Sequence, residues 1–125
     1  MNKPSALIIE DNADSAVIFA EALKSAGYET DIARSGSEAL ERLDSTTPDV
    51  VVLDLQLPRV AGPDILRHIR ADPRLAATHV IVATAHPQMT DSLAGEADSI
   101  LIKPVSFIQL RDLAARLLPS ITVDK

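Results

Sequence analysis

Short apolar runs alternate along the whole chain with segments in which apolar residues recur every three or four positions. A run without polar residues is typical of a strand buried on both faces, and the longer spacing is typical of a helix with one buried face. Apolar runs predict strands at residues 6–9, 50–54, 79–84 and 99–102, and the alternation of residues 28–33 predicts a further strand nearer an edge of the sheet. Each strand is followed by a helical segment. Five such units in a row predict a parallel sheet with right-handed crossovers and helices on both faces.

The fold class is therefore α/β: a doubly wound, flavodoxin-like domain with five parallel strands in the order 2-1-3-4-5. Capping signals support the helices, as where Ser35 is followed by Glu38 at the spacing of a capping box. The segment from His86 to Glu96 has few large apolar residues, so its helix, the fourth, is predicted to be short or irregular. The last helix is expected to stop at Pro119.

Length and composition indicate one globular domain. The chain has 125 residues, of which 46% are hydrophobic, enough for a sizeable core. We expect a single domain over 1–125, with a core at about 5–118 and a short tail at 119–125. That tail is too short for a separate output domain.

The charge balance and the missing residue types exclude several classes of function. With 18 acidic and 12 basic residues, the net charge of −6 disfavours binding to nucleic acid. The chain contains no cysteine, which excludes disulfides, thiolate metal sites and cysteine nucleophiles. No apolar run approaches the roughly 20 residues of a membrane span, and the first residues lack the apolar core of a signal peptide. We expect a cytoplasmic protein that does not bind a membrane.

The most apolar run of the chain ends on a carboxylate. Val50 to Leu53 are all apolar, yet the next residue is Asp54. In open α/β sheets, ligands bind beyond the carboxyl ends of the strands, which predicts that Asp54 faces a ligand crevice. An ordinary loop carboxylate or helix cap is the alternative for this stretch considered alone.

Polar side chains at the ends of other predicted strands favour the functional interpretation. Glu10 and Asp11 follow the first strand, Thr84 ends the fourth, and Lys103 follows the fifth. Parallel strands bring all of these to the same edge of the sheet as Asp54. Three carboxylates in one crevice would raise one another's pKa values unless a cation joined them. Oxygen ligands of this kind suit Mg²⁺, or Mn²⁺ in its place.

This set of side chains can support phosphoryl transfer. With a metal beside it, Asp54 can act as a nucleophile toward phosphorus and form an aspartyl phosphate. The metal and the ammonium group of Lys103 would neutralise charge on the phosphoryl oxygens during transfer. The hydroxyl group of Thr84 can hydrogen-bond one of those oxygens.

The chain resembles the receiver domains of two-component response regulators across essentially its whole length. The resemblance rests on five features at matching intervals: Glu10-Asp11, Asp54 in Asp-Leu-Gln-Leu-Pro, Gly62, Thr84-Ala85 and Lys103-Pro104. It implies that Asp54 accepts a phosphoryl group from a histidine kinase phosphohistidine. It also implies that Glu10, Asp11, Asp54 and the backbone carbonyl of Gln56 bind Mg²⁺, that Thr84 and Lys103 contact the phosphoryl oxygens, and that the Lys103-Pro104 peptide is cis.

The resemblance implies partners as well as chemistry. The donor would be a sensor histidine kinase or a phosphotransfer protein, recognised partly by exposed apolar residues of the first helix such as Val17. The output would pass to a downstream protein or a tethered output domain, and a homodimer is possible. Such a protein is not an enzyme in the usual sense, because it catalyses only its own phosphorylation and dephosphorylation.

Two features depart from the family pattern. Ile100 stands where receivers usually carry the aromatic switch residue, and we expect it to serve as core packing. The interval from Thr84 to Lys103 is shorter than usual by about one helical turn, in a region that contributes to the usual output surface. Gln56 and His86 lie two residues past Asp54 and Thr84, and we expect them to set the lifetime of the phosphoryl group; the alternative is that both are ordinary loop residues.

Three other functions are alternatives to a phosphorylated receiver. A haloacid-dehalogenase-type phosphatase would need a second aspartate where Gln56 stands. A flavodoxin-like cofactor binder would need a phosphate-cradling loop after the first strand and aromatic walls, and 12–15 offers neither. A receiver-shaped interaction module without phosphorylation-dependent switching stays open, because Ile100 and the shortened interval are compatible with it.

Overall fold

The computed structural model describes residues 3–86, 88, 93 and 95–122, with the backbone alone for 120–122. The five strands form one parallel sheet in the order β2-β1-β3-β4-β5, which confirms the predicted fold class and strand order. Their bounds are β1 Ser5–Ile9, β2 Glu29–Ala33, β3 Val50–Asp54, β4 His79–Thr84 and β5 Ser99–Ile102.

Four helices lie within the described residues: α1 Ala13–Ser25, α2 Gly36–Ser45, α3 Gly62–Ala71 and α4 Phe107–Thr122, with a 3₁₀ turn at Pro73–Leu75. The capping signal at Ser35 is confirmed, because its hydroxyl oxygen accepts the Glu38 N–H at 3.1 Å. The short helix predicted within 86–96 lies largely outside the described residues. Across the described part of the chain, no helix has the length and apolar character needed to cross a membrane.

Strand β3 lies at the centre of the core, and all five of its residues are buried. Because side chains alternate along a strand, Val51 and Leu53 face one side of the sheet and Val50 and Val52 face the other. The first side packs against α2 and α3 and the second against α1 and α4. The core therefore has two layers, and it surrounds the strand that ends on Asp54.

The expected stop of the last helix at Pro119 is wrong. Helix α4 starts after Ser106, whose hydroxyl oxygen accepts the Gln109 N–H at 3.0 Å, and it continues past Pro119 to Thr122. A proline inside a helix removes one backbone donor and crowds the preceding turn. Leu110 and Ala114 are fully buried against the sheet and anchor the earlier turns, so the proline affects only the end of the helix.

Candidate functional site

The register of the parallel strands aligns the residues that were predicted to form a site. Asp54 pairs with Ala83 on β4, and Thr84 pairs with Ile102 on β5, the residue before Lys103. The Lys103 N–H donates to the carbonyl of Thr84 at 2.8 Å, so the ladder continues one residue beyond β5. Asp54, Thr84 and Lys103 consequently emerge side by side at the carboxyl edge of the sheet.

Three carboxylates meet at this edge. Glu10, Asp11 and Asp54 each offer an oxygen, and these oxygens lie within 4.8 Å of one another. Glu10 and Asp54 are buried, with 1% and 2% of their surface exposed, while Asp11 is exposed at the rim. The site thus has a buried acidic floor that opens to solvent on the Asp11 side.

Lys103 is the cation that pairs with the acidic floor. Its ammonium group donates to Asp54 Oδ1 at 2.9 Å and lies 3.6 Å from Glu10 Oε1. Burial alone lowers the pKa of Lys103, but the hydrogen bond to Asp54 and the charges of Asp54 and Glu10 outweigh it and raise the pKa above its ordinary value. Lys103 therefore stays protonated and offsets part of the negative charge in the crevice.

The charged form of Glu10 is disfavoured by its surroundings. Burial, followed by hydrogen bonding to Asp54 and repulsion from its charge, raises the Glu10 pKa to about 7, although the Asn12 backbone N–H and Lys103 act against the shift. Its Oε1 atom is buried and has no hydrogen-bond partner among the described residues. A buried oxygen that has an ion-pair contact but no hydrogen bond, next to two further carboxylates, fits a hard divalent cation such as Mg²⁺.

A glycine holds the Asp54 loop against helix α3. A Cβ atom at Gly62 would lie 2.5 Å from Leu55 Cα and 3.0 Å from the Asp54 carbonyl oxygen. Both of these are backbone atoms, so a side chain at this position would displace the loop itself. The interval to Asp54 identified Gly62 in the sequence, whereas the physical requirement is visible only in the packing.

The side chain of Gln56 bridges the two loops that carry Asp54 and Thr84. Its amide nitrogen Nε2 donates to Thr84 Oγ1 at 3.0 Å, and its Oε1 accepts the Ala85 N–H at 3.2 Å. Thr84 Oγ1 also accepts the His86 N–H at 3.0 Å. The sequence singled out Gln56 and His86 by position alone and contained no signal for these contacts.

Ile100 and Arg34 lie around the site. Ile100 pairs with Val82 and packs, partly buried, against the core cluster on the α2–α3 side, as expected for a packing residue. Arg34, which was not among the predicted site residues, donates from Nη2 to the Asp11 carbonyl oxygen at 2.7 Å. An arginine at the end of an edge strand has no distinctive sequence pattern, so only the fold reveals that it contacts the acidic loop.

An apolar cavity of about 450 Å³ opens beside Lys103. Its lining includes Ile18 and Phe19 from α1 and Pro104 and Val105 from the segment before α4. The Lys103-Pro104 peptide is cis, as the resemblance implied. Val17, on the same helix, is 56% exposed and Ile18 is 44% exposed. The entrance to the acidic crevice is therefore flanked by accessible apolar surface.

Comparison with known families identifies this arrangement. Residues 6–115 match the family model described as the response regulator receiver domain. The chain belongs to the response regulator receiver family. Members of this family are signalling phosphoacceptors that interact with histidine kinases and downstream targets, and they bind Mg²⁺ through acidic residues.

Individual receivers are similar over most of their length. The polar-differentiation response regulator DivK of Brucella ovis is 33% identical over 105 residues, which cover 82% of this chain and 85% of that protein. The receiver domain of a signal transduction histidine kinase from Syntrophus aciditrophicus is 30% identical, with a TM-score of 0.83 and coverage of 95% of this chain and 92% of that chain. A CheY-like receiver from Methylobacillus flagellatus is 28% identical, with a TM-score of 0.80 and coverage of 96% and 99%.

Proposed function

We propose that this receiver accepts a phosphoryl group on Asp54 from the phosphohistidine of a sensor histidine kinase or phosphotransfer protein, in a reaction that depends on Mg²⁺ or Mn²⁺. The observation that carries the proposal is the contact of Lys103 with Asp54 at 2.9 Å beside the acidic cluster. A cytoplasmic location is part of the same proposal.

The Asp54 carboxylate is held ready for nucleophilic attack. Oδ1 accepts hydrogen bonds from Lys103 Nζ and from the Gln56 backbone N–H at 3.0 Å, so we assign Oδ2 as the attacking atom. The new bond joins Oδ2 to phosphorus as the bond from phosphorus to the donor imidazole nitrogen breaks, and the electron pair of that bond stays on the imidazole. The product is an acyl phosphate on Asp54.

The remaining site residues stabilise the transferred group. Glu10, Asp11, Asp54 and the backbone carbonyl of Gln56 would hold the metal ion, which when bound would neutralise charge on the phosphoryl oxygens. Lys103 would pair with one phosphoryl oxygen, and Thr84 would donate its hydroxyl proton to another. Because Thr84 ends β4 beside β5, this new bond would change the surface formed around these strands and so carry the signal to a downstream target.

The apolar rim beside the crevice is where we expect the phosphodonor to bind. Val17 and Ile18 are exposed on α1, and the cavity lined by Pro104 and Val105 lies next to Lys103. A donor protein must bring its histidine close to Asp54, so contacts at this rim would position it. Replacing Val17 by Ser should slow transfer from a phosphohistidine protein and leave the reaction with acetyl phosphate unchanged.

A receiver-shaped interaction module is the second candidate. Ile100 favours it, because an aliphatic core residue occupies the position of the usual aromatic switch. Such a module would bind its partner equally well with and without a phosphoryl group. The buried charge cluster around Asp54 argues for phosphorylation. Burying neighbouring carboxylates is destabilising, and such destabilisation is typical of a functional site.

Intact-mass analysis after incubation with acetyl phosphate tests the proposal. We expect a base-labile phosphoryl adduct on the natural protein that requires Mg²⁺ and disappears in Asp54→Asn. A folded protein that gains no adduct from either acetyl phosphate or a phosphohistidine donor would overturn the proposal and favour the interaction module.

A further inference from the structure

We propose that Gln56 is a positioning residue for Thr84: its side-chain amide orients the Thr84 hydroxyl group so that the proton is available to a phosphoryl oxygen on Asp54. This inference rests on the proposed function. It assigns to the Gln56 side chain a role that is separate from the expected metal contact of its backbone carbonyl.

The orientation of the Gln56 amide follows from its neighbours. The backbone N–H of Ala85 can only donate a hydrogen bond, so the amide end that faces it must be the oxygen Oε1. A flipped amide would bring two donors together. Nε2 therefore faces Thr84, and the Thr84 oxygen has to accept from it.

The hydrogen bonds that Thr84 Oγ1 accepts determine what its hydroxyl group can still do. A threonine hydroxyl has two acceptor lone pairs and one proton to donate. Gln56 Nε2 and the His86 N–H, each at 3.0 Å, use both lone pairs. What remains is the donor function. A phosphoryl group has only acceptor oxygens at neutral pH, so it needs a hydrogen-bond donor. The Thr84 hydroxyl group, which can now only donate, meets that need.

The same residue also contacts the phosphoacceptor. The Gln56 backbone N–H donates to Asp54 Oδ1, while its side chain reaches Thr84 on the neighbouring loop. Thr84 is fully buried and β-branched, so its side chain has little rotational freedom of its own. Gln56 thus connects the carboxylate that receives the phosphoryl group with the hydroxyl group that recognises it.

Two replacements of Gln56 test its side-chain hydrogen bonds while keeping the size of the side chain. Gln56→Met keeps the length of the side chain but removes both hydrogen bonds. Gln56→Glu keeps an acceptor for Ala85 but turns a second acceptor toward Thr84, where it would capture the hydroxyl proton. Gln109→Met, at an exposed position on α4, is the matched control for a Gln-to-Met change.

The measurement is the affinity for beryllofluoride, a phosphoryl mimic, with saturating Mg²⁺, followed by ¹⁹F nuclear magnetic resonance. We expect Gln56→Met to weaken binding about fivefold, the value of one ordinary hydrogen bond, and Gln56→Glu to weaken it further. Gln109→Met should bind like the natural protein.

In a Thr84→Ala background, Gln56→Met should change the affinity by less than about twofold, because a residue that acts through Thr84 has no effect once the hydroxyl group is gone. Any effect of Gln56→Glu that persists there measures direct charge repulsion.

The outcomes distinguish this inference from the proposed function. If the natural protein binds beryllofluoride and Thr84→Ala weakens that binding, but Gln56→Met has no effect or has the same effect in both backgrounds, the positioning role is overturned and the proposed function stands. If the natural protein neither binds beryllofluoride nor forms an adduct with acetyl phosphate, both fail together.

Discussion

The ammonium group of Lys103 donates a 2.9 Å hydrogen bond to Asp54 Oδ1, although the two residues lie 49 positions apart in the chain. Asp54 is almost fully buried, and 27% of the Lys103 side chain is exposed. The contact places a positive charge over two buried carboxylates, because Glu10 Oε1 is 3.6 Å away.

Replacing Lys103 by Met should slow the reaction with acetyl phosphate. The change keeps much of the side-chain volume and removes the charge that would stabilise the phosphoryl oxygens, so we expect the rate of adduct formation to fall about 100- to 1000-fold. Time-resolved intact-mass analysis measures this rate. Lys24→Met is the control, because Lys24 forms an exposed pair with Glu21 far from the site, and that variant should react normally. Equal rates for both variants would contradict a role for Lys103.

Replacing Glu10 by Gln should stabilise the metal-free protein at neutral and higher pH. The Glu10 pKa is raised from 4.5 to about 7 in the folded state, so between these values the folded protein holds a proton that the unfolded chain has lost. The natural protein therefore loses stability as the pH rises through this window, while Glu10→Gln does not.

Denaturant unfolding with a chelator present tests this pH dependence. The free energies of unfolding of the two proteins should be similar at about pH 4, and by about pH 8 the variant should be more stable by on the order of 2 kcal/mol. Added Mg²⁺ should stabilise the natural protein more than the variant. A difference between the two that does not change with pH would contradict the assignment to Glu10.

Replacing Gly62 by Ala should destabilise the protein and disturb the Asp54 loop. The added Cβ would lie 2.5 Å from Leu55 Cα, and because backbone cannot move aside cheaply we expect a loss of about 2 to 3 kcal/mol in the free energy of unfolding. Gly95→Ala is the matched control, since its Cβ would meet nothing within 4 Å, and its effect should stay within about 0.5 kcal/mol. Chemical denaturation measures both, and similar values would mean that the close approach at Gly62 is relieved at little cost.

Replacing Ile100 by Ala should lower the free energy of unfolding and leave phosphorylation by acetyl phosphate nearly unchanged. Ile100 packs against the core, so truncation should cost about 2 kcal/mol, whereas Ile102→Ala on the same strand, at a position 41% exposed, should cost less than about 1 kcal/mol. Adduct formation with acetyl phosphate should be similar for both variants and the natural protein. A selective loss of phosphorylation in Ile100→Ala would assign this position a switching role instead.

Replacing His86 by Ala should change the lifetime of the phosphoryl group. The bond from the His86 N–H to Thr84 belongs to the backbone and survives the change, so any effect comes from the imidazole that we expect beside the path of the attacking water. Loss of the adduct over time, after removal of acetyl phosphate, measures the dephosphorylation rate. An unchanged rate would mean that His86 is an ordinary loop residue.

The alternation of apolar runs and helical spacings was sufficient to predict the sheet. It predicted five parallel strands and the polar residue at each relevant strand end, because a strand buried on both faces tolerates a charge only where it leaves the sheet. Given parallel strands, Glu10, Asp54 and Lys103 had to reach the same edge. The sequence by itself therefore determined the fold class and the members of the charged site.

Only the tertiary structure decided how the site is supported. The bridge from Gln56 to Thr84 and the contact of Arg34 with the Asp11 carbonyl join residues that are distant in the chain. The close approach of Gly62 to Leu55 depends on how helix α3 packs against the loop that precedes it. Helix α4 likewise continues past Pro119, against the local signal, because packing of its earlier turns outweighs the loss of one donor. Periodicity reports which face of an element is buried, whereas hydrogen bonds between loops depend on strand register and loop geometry, which no repeating pattern in the sequence encodes.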